Sequence, residues 1–418
     1  MDKLQNAMNK ILEEVPLTIL SALLDEKLRE KNIKLSKRKL GDLTRRLLQE
    51  NTGAITLSRR TDLLIEFTDE DADHFAAKAN EFLERLPGLV ERLSDTAVVD
   101  ILASLRRRWR KEADLQRREM NGFRKRLEER WGAGFEPLRM LAAIAREFGA
   151  DINRDIGSAG GGERPQTFDV LIKLHARACQ VTDEIICLLG GGYADGAMAR
   201  WRTLHEIAAV AYLIARDGED LAERYIAHQA VESRKAARQY EQYRENLGLT
   251  PFGEAELLQI ETDYAALIAK YGDDFKHSQG WASKAVGKSN PSITHIQEAV
   301  HLDHLGPYYR MASHNVHANP KGVFFKLGLM GDKQTMLAGS SNAGFADPGH
   351  ATALSLLQIS SSLLHLNATI DSNITVRIMA ILADEAGEQL LAAHEKLVKD
   401  DETCRVGENA VAYAPDGA

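Results

Sequence analysis

The chain has 418 residues, which suggests two or three folding units, and its 44% hydrophobic and 27% charged residues are typical of globular proteins. The formal net charge of −8 argues against nucleic-acid binding by the whole surface, although the field near one site follows its own residues. The three cysteines support neither a disulfide framework nor a zinc knuckle and favour a reducing cytoplasm. Because no apolar stretch approaches the roughly 20 residues of a membrane span, we expect a cytoplasmic protein without membrane passage.

Residues 1–104 are predicted to form a helical N-terminal region with a small β-hairpin. Helical spacing of apolar residues dominates residues 3–50, after which Ala54–Leu57 and Leu63–Phe67 are short β-type runs separated by a turn. Helices followed by a hairpin could form a nucleic-acid-binding winged-helix module. Ordinary packing of a hairpin on helices is the interpretation that we prefer.

A long basic helix and a connector are predicted over residues 105–156. Residues 106–130 are rich in arginine and lysine, and apolar residues such as Leu105, Trp109 and Met120 follow one another at approximate helical spacing. One interpretation is a basic face that meets phosphates. Acidic residues interrupt the basic run, however, and this favours a solvated helix with i,i+4 ion pairs such as Asp114–Arg118.

A helical bundle is predicted over residues 166–399, after the linker Gly157–Pro165 and before a flexible tail over 400–418. Two strong helices, about Gln166–Leu189 and Ala194–Arg216, are joined by a glycine turn and should be antiparallel neighbours. Further helices are predicted at about 220–246, 253–271, 295–317, 347–370 and 376–399, and the one over 295–317 is interrupted near Gly306-Pro307.

A second small hairpin is predicted within this bundle. Its strands would be Val323–Leu327 and Thr335–Leu337, turning near Gly331-Asp332. The predicted fold class is therefore mainly α, with a small hairpin in the N-terminal region and another in the C-terminal bundle.

The first candidate constellation lies in the middle of an otherwise apolar helix. Arg202 and Glu206 are four residues apart and share a face. A charge on a largely buried helix is costly unless it is paired, so a structural ion pair is one interpretation. The other is that both residues line a polar pocket and orient a catalytic group.

The second candidate constellation is the run from Arg310 to His317. Arg310, His314 and His317 have the spacing i, i+4 and i+7, which predicts that they project from one helix face. Imidazole can transfer a proton at neutral pH, and a guanidinium can bind a phosphate through two hydrogen bonds. These residues would suit RNA cleavage without a metal. The alternative is a structural role, in which the histidines donate hydrogen bonds to backbone carbonyls at the end of the helix.

A metal site is a third interpretation, because imidazole and carboxylate groups cluster in the same part of the sequence. The motif H-E-x-x-H and the paired E-x-x-H motifs of di-iron bundles are both missing. The sequence therefore predicts no metal and no cofactor, although six residues could contribute ligands: Glu206, His301, Asp303, His304, His314 and His317.

Three segments resemble a bacterial family of unknown function over roughly residues 115–375: Phe123–Trp131, Gly196–Glu206 and Ser313–His317. A weaker resemblance is to the HEPN superfamily of helical bundles. Many of its members are dimeric, metal-independent ribonucleases in toxin–antitoxin or phage-defence systems, with a motif of an Arg followed after four to six residues by a His. Arg310 and His317 match this motif, with six residues between them. Arg310 and His314 do not, since only three residues separate them. Met311 follows the Arg at the position where the family usually has Asn, Asp or His.

This resemblance implies a HEPN-like RNA endonuclease in phage defence or stress response. Arg310, His314 and His317 would be catalytic, and the supporting residues would be Arg202, Glu206, Ser313 and Asn319. We expect single-stranded RNA as the partner and a homodimer, and we expect Arg202, Glu206, Arg310, His314 and His317 to converge in one cleft. The alternatives are a non-catalytic helical module that binds protein or nucleic acid, and a metal-binding helical bundle.

Overall fold

The computed structural model of the chain is mainly α-helical, which confirms the predicted fold class. It describes residues 3–50, 54–58, 61–158, 160, 162–317, 319–331 and 336–412. The contacts divide the chain into two units, Met1–Gln116 and Arg117–Ala418. None of the described helices combines the length and the apolar composition needed to cross a membrane.

The first unit contains the predicted helices and hairpin. Its elements are α1 (Lys3–Glu30), α2 (Lys37–Glu50), β1 (Ala54–Ser58), β2 (Thr61–Glu66) and the beginning of α3 (Asp69–Gly157). The two strands pair antiparallel with Ile55 opposite Ile65, which confirms the N-terminal hairpin. Ile65 joins a small core with Leu24, Leu28 and Leu47.

Helix α3 is longer than predicted. The sequence analysis placed a separate basic helix after residue 105, but α3 is continuous from Asp69 to Gly157. Residues 89–121 contain neither glycine nor proline and are rich in Leu, Ala, Arg and Glu, so nothing in this stretch ends the helix. Trp109 and the basic residues around it are exposed.

The second unit consists of the remainder of α3 and a helical bundle. After the predicted linker, its helices are α4 (Pro165–Gly190), α5 (Ala194–Asp217), α6 (Glu219–Ala227), α7 (Gln229–Leu247), α8 (Glu254–Tyr271), α9 (Ser283–Val286), α10 (Ile293–Ala299), α11 (Gly306–Val316), α12 (Pro320–Phe324), α13 (Ala346–Ser362) and α14 (Ile370–Ala412). Helices α4 and α5 match the two strong helices predicted from periodicity. Helix α14 continues beyond residue 399, where the sequence analysis placed its end.

The core of this unit lies where α4, α5 and α13 pack together. Trp201 of α5 is fully buried, and its indole Nε1 donates hydrogen bonds to Ala351 O at 2.9 Å and Ser355 Oγ at 3.0 Å on α13. These bonds matter because a buried indole N–H without an acceptor would destabilise the fold. The same core fixes α5, whose other side contacts α10 and α11.

The second predicted hairpin is wrong. Val323 and Phe324 belong to α12, and the described parts of the two proposed strands form no strand. Helix α12 begins because Asn319 caps it, accepting from Gly322 N at 2.9 Å, and Pro320 supplies a helical φ at its first turn. The turn segment 332–335 lies outside the described residues.

Candidate functional site

A pocket of about 790 Å³ lies among α10, α11 and α12. The residues of its lining that bear on its chemistry are Gln297, Asp303, Tyr309, Arg310, His314 and Lys321. Helix α10 is fixed at its start by a capping box, in which Ser292 N donates to His295 Nδ1 at 3.1 Å and His295 N donates to Ser292 Oγ at 3.4 Å. Helix α11 begins at Gly306-Pro307, where the sequence predicted an interruption.

Arg202 and Glu206 of α5 reach this pocket through Tyr309. Tyr309 Oη donates to Glu206 Oε1 at 2.5 Å, while Arg202 Nε donates to the same carboxylate oxygen at 3.0 Å and to Tyr309 Oη at 3.1 Å. The Arg202 guanidinium also lies 5.0 Å from the centroid of the Tyr309 ring. The pair is therefore a structural anchor that holds the Tyr309 side chain of α11 against α5.

Tyr309 remains protonated under ordinary conditions. Burial and, after it, the hydrogen bond from its hydroxyl to Glu206 together raise the pKa of Tyr309 to about 12. Because the hydroxyl proton of Tyr309 is donated to Glu206, the phenol positions α11 against α5 and does not act as an acid or a base at neutral pH.

Asn319 fixes the orientation of the His314 ring. The amide oxygen of Asn319 accepts from Gly322 N, so its amide nitrogen faces His314 and donates to Nδ1 at 2.8 Å. A ring nitrogen that accepts a hydrogen bond carries no proton, and neutral His314 therefore has its proton on Nε2. The side chain of His314 offers a donor, not a base, to a ligand in the pocket.

Gly322 allows this arrangement because α12 lies very close to the end of α11. A Cβ atom at position 322 would lie 1.9 Å from His314 O. Any larger residue would push α12 away from His314 and would separate Asn319 from the imidazole. The glycine thus has a steric role in forming the pocket wall.

The predicted position of His317 is wrong. Helix α11 ends at Val316, and His317 has extended backbone angles, φ −106° and ψ 144°, so it does not continue the face of Arg310 and His314. The helix ends here because Asn319 precedes a proline and is itself extended, at φ −85° and ψ 158°. His317 is exposed and is not among the residues that line the pocket.

Ser313, expected as a supporting residue, uses its hydroxyl hydrogen within α11. Its Oγ donates to the backbone oxygen of Tyr309 at 2.8 Å, one turn earlier in α11. Of the five side chains expected in one cleft, Arg310 and His314 line the pocket, Arg202 and Glu206 contact Tyr309 behind it, and His317 lies outside the lining. In the described part of the chain, no three His, Cys, Asp or Glu side chains cluster as metal ligands would.

Gln297, Tyr309 and Lys321 line the pocket but were not predicted from the sequence. Gln297 occupies a position of α10 that the spacing with Ile293 and Val300 assigns to the apolar face, and a polar residue at such a position was the available signal. Lys321 and Arg310 are both exposed and supply positive charge, and Asp303 is the one carboxylate of this lining. The polar groups of the pocket are therefore mainly hydrogen-bond donors.

The fold and the site together define a helical bundle with a donor-rich pocket beside one of its central helices. Residues 168–334 match the model of a family of unknown function, DUF5677. The match confirms the expected resemblance to such a family, over a shorter span than 115–375, and it includes the segments Gly196–Glu206 and Ser313–His317. No curated protein and no solved structure matches the chain.

Proposed function

We propose that the pocket among α10, α11 and α12 binds a phosphate group of single-stranded RNA. The observation that carries this proposal is the fixed tautomer of His314, whose Nε2–H is a donor in the same pocket as the cations Arg310 and Lys321. Guanidinium groups bind phosphate through paired hydrogen bonds, and a neutral N–H donor adds to them without a charge of its own.

The proposed activity is metal-independent RNA cleavage, as the HEPN-like spacing of Arg310 and His317 implies. The 2′-oxygen would attack phosphorus and give its proton to His317, which would have to approach the bound RNA from outside the pocket lining. The P–O5′ bond would break, and the leaving oxygen would take a proton from solvent. Arg310 would stabilise the charge on the phosphorane, and His314 would hold a phosphate oxygen. The products would be a 2′,3′-cyclic phosphate and a free 5′-hydroxyl.

The proposed setting is the cytoplasm, in phage defence or stress response, and the protein is proposed to act as a homodimer. The three cysteines are unpaired, which supports a reducing compartment. A dimer would bring two copies of the Arg310–His317 motif together across a two-fold axis. Sedimentation that gives a monomer at micromolar concentration would contradict the dimer.

The test is cleavage of a labelled single-stranded RNA by the full chain in the presence of EDTA. We expect His317→Ala to slow cleavage by about 10²–10⁴-fold because it removes proton transfer. Arg310→Ala should slow it by about 10²–10³-fold because it removes charge stabilisation. His365→Ala and Arg154→Ala are matched controls, since both side chains are exposed and lie outside the pocket lining, and they should leave the rate unchanged.

A non-catalytic RNA-binding module is the second candidate, and the commitment of His314 Nδ1 to Asn319 favours it. It predicts RNA binding that weakens in Arg310→Ala while no cleavage occurs in wild type. Cleavage that survives His317→Ala would refute the role of His317, and cleavage that requires a divalent ion would replace the metal-independent mechanism. RNA binding unaffected by Arg310→Ala would refute the phosphate site itself.

A further inference from the structure

Gln297 brings a buried, unpaired amide to the pocket among α10, α11 and α12. Its side chain is 2% exposed, and its Nε2 has no hydrogen-bond partner among the described residues. Proteins pair nearly all buried polar groups, so an unpaired amide at a pocket indicates an acceptor that arrives with a ligand. Within the described residues, several buried side-chain atoms lack partners, and Gln297 Nε2 is the one among them that belongs to this pocket lining.

The surroundings of Gln297 suit a flat ligand that is apolar on its faces and polar at its edge. Pro307, Met311 and Phe325 line the same pocket, and Phe325 is an exposed aromatic ring available for stacking. The volume of about 790 Å³ lies within the range of small-molecule sites. Single-stranded RNA is commonly recognised through bases that are splayed out, stacked on aromatic rings and hydrogen-bonded along their edges.

We infer that Gln297 reads the edge of a nucleobase, so that the pocket holds one nucleotide unit with its phosphate near Arg310 and Lys321. This inference rests on the proposed phosphate site and adds a specificity-determining residue to it. A glutamine amide can make two hydrogen bonds to a base edge because it offers a donor and an acceptor side by side. Ile296, which is fully buried, and the capping box of Ser292 fix α10, so the position of Gln297 on the helix is set before the ligand binds.

Calorimetric titration of the full chain with AMP, GMP, CMP, UMP and ribose 5-phosphate tests this inference. Ribose 5-phosphate has the phosphate and the sugar without a base. We expect wild type to bind at least one nucleotide about 10-fold or more tightly than ribose 5-phosphate, because buried polar groups discriminate strongly against ligands that leave them unpaired. Gln297→Met, which keeps the length of the side chain, should remove most of this preference, apart from the part due to stacking on Phe325, and leave the affinity for ribose 5-phosphate unchanged.

The outcomes separate the two proposals. If wild type binds every nucleotide no better than ribose 5-phosphate, or if Gln297→Met retains the full preference, the base-reading role is wrong while the phosphate site stands. If neither nucleotides nor ribose 5-phosphate bind, or if Arg310→Met leaves all affinities unchanged, the phosphate site is wrong and the base-reading role falls with it. The wild-type comparison requires no variant, so it decides even if Gln297→Met does not fold.

Discussion

Two buried histidines on neighbouring helices of the bundle have different surroundings. His175 of α4 lies where α4 meets α13, and its Nε2 is 3.1 Å from Ser360 Oγ. His205 of α5 lies on the side of α11, stacked on Trp201 with ring centroids 5.1 Å apart, and neither of its ring nitrogens has a partner among the described residues. His175 is therefore paired at the α4–α13 contact, whereas His205 at the α5–α11 contact is not; among the described residues, Thr182 Oγ1 of α4 and Gln358 Oε1 of α13 are also buried without a partner.

The difference between the two histidines matches the position of the pocket, which is lined by residues of α11. Natural proteins tend to violate local rules of packing and hydrogen bonding at functional sites. The unpaired atoms of His205 and Gln297 occur on α5 and α10, next to the pocket, and the ring of His205 lies 5.9 Å from that of Tyr309.

The largest effect expected from a single substitution is at Trp201, which joins α5 to α13. Trp201→Ala should lower the free energy of unfolding by about 3–5 kcal/mol, because it leaves a large cavity and removes the hydrogen bonds to Ala351 and Ser355. Urea denaturation measures this loss. The control is Trp109→Ala, since Trp109 is 60% exposed and should change stability by no more than about 0.5 kcal/mol.

A second effect comes from pH, because burial lowers the pKa of both His175 and His205 to about 4. Below pH 6.5 the two histidines become protonated in the unfolded chain, whereas in the folded chain they stay neutral until about pH 4. Stability is thus complete above pH 6.5 and falls as the pH drops toward 4, by about 3 kcal/mol per histidine. Urea denaturation at pH 7.5, 5.5 and 4.5 should show this fall, and the double variant His175→Leu/His205→Leu should show a smaller one.

An equal fall in wild type and in the double variant would contradict the assigned pKa shifts. Carboxylates also lose charge toward pH 4, so the difference between the two proteins, and not the slope of either one, is the quantity that reports on the histidines. The nearby charge of His304 acts on His205 in the same direction as burial.

Local sequence patterns predicted much of the fold. Helices α4 and α5 were found because their apolar residues recur at helical spacing and glycines mark their ends, and the N-terminal hairpin was found from its β-type runs. The segment after residue 319 was misread as a strand because Val323-Phe324-Phe325 has β propensity. The cap and the proline that begin α12 outweigh that propensity, and only the contact with α11 explains the glycine at position 322.

The candidate site was predictable only in part. Arg310 and His314 follow from helical spacing, and Arg202–Glu206 was correctly paired from its i,i+4 separation. The hydroxyl of Tyr309, which joins that pair to the pocket, depends on how α11 packs against α5, and such packing cannot be obtained from spacing along one helix. His317 was misplaced because its predicted face required α11 to continue by one more residue.

The smallest expected effect compares His175→Leu with His205→Leu directly at pH 7.5, where both histidines are neutral. His175→Leu removes the partner of Ser360 Oγ and should cost about 1 kcal/mol or more beyond any change in packing. His205→Leu removes two buried nitrogens that make no hydrogen bond to the described residues, and it should be less destabilising than His175→Leu by about 1 kcal/mol. Urea denaturation of the two variants measures the difference. A greater loss for His205→Leu would contradict the contrast between the two histidines, because it would show that the imidazole at position 205 contributes to stability as a paired group does.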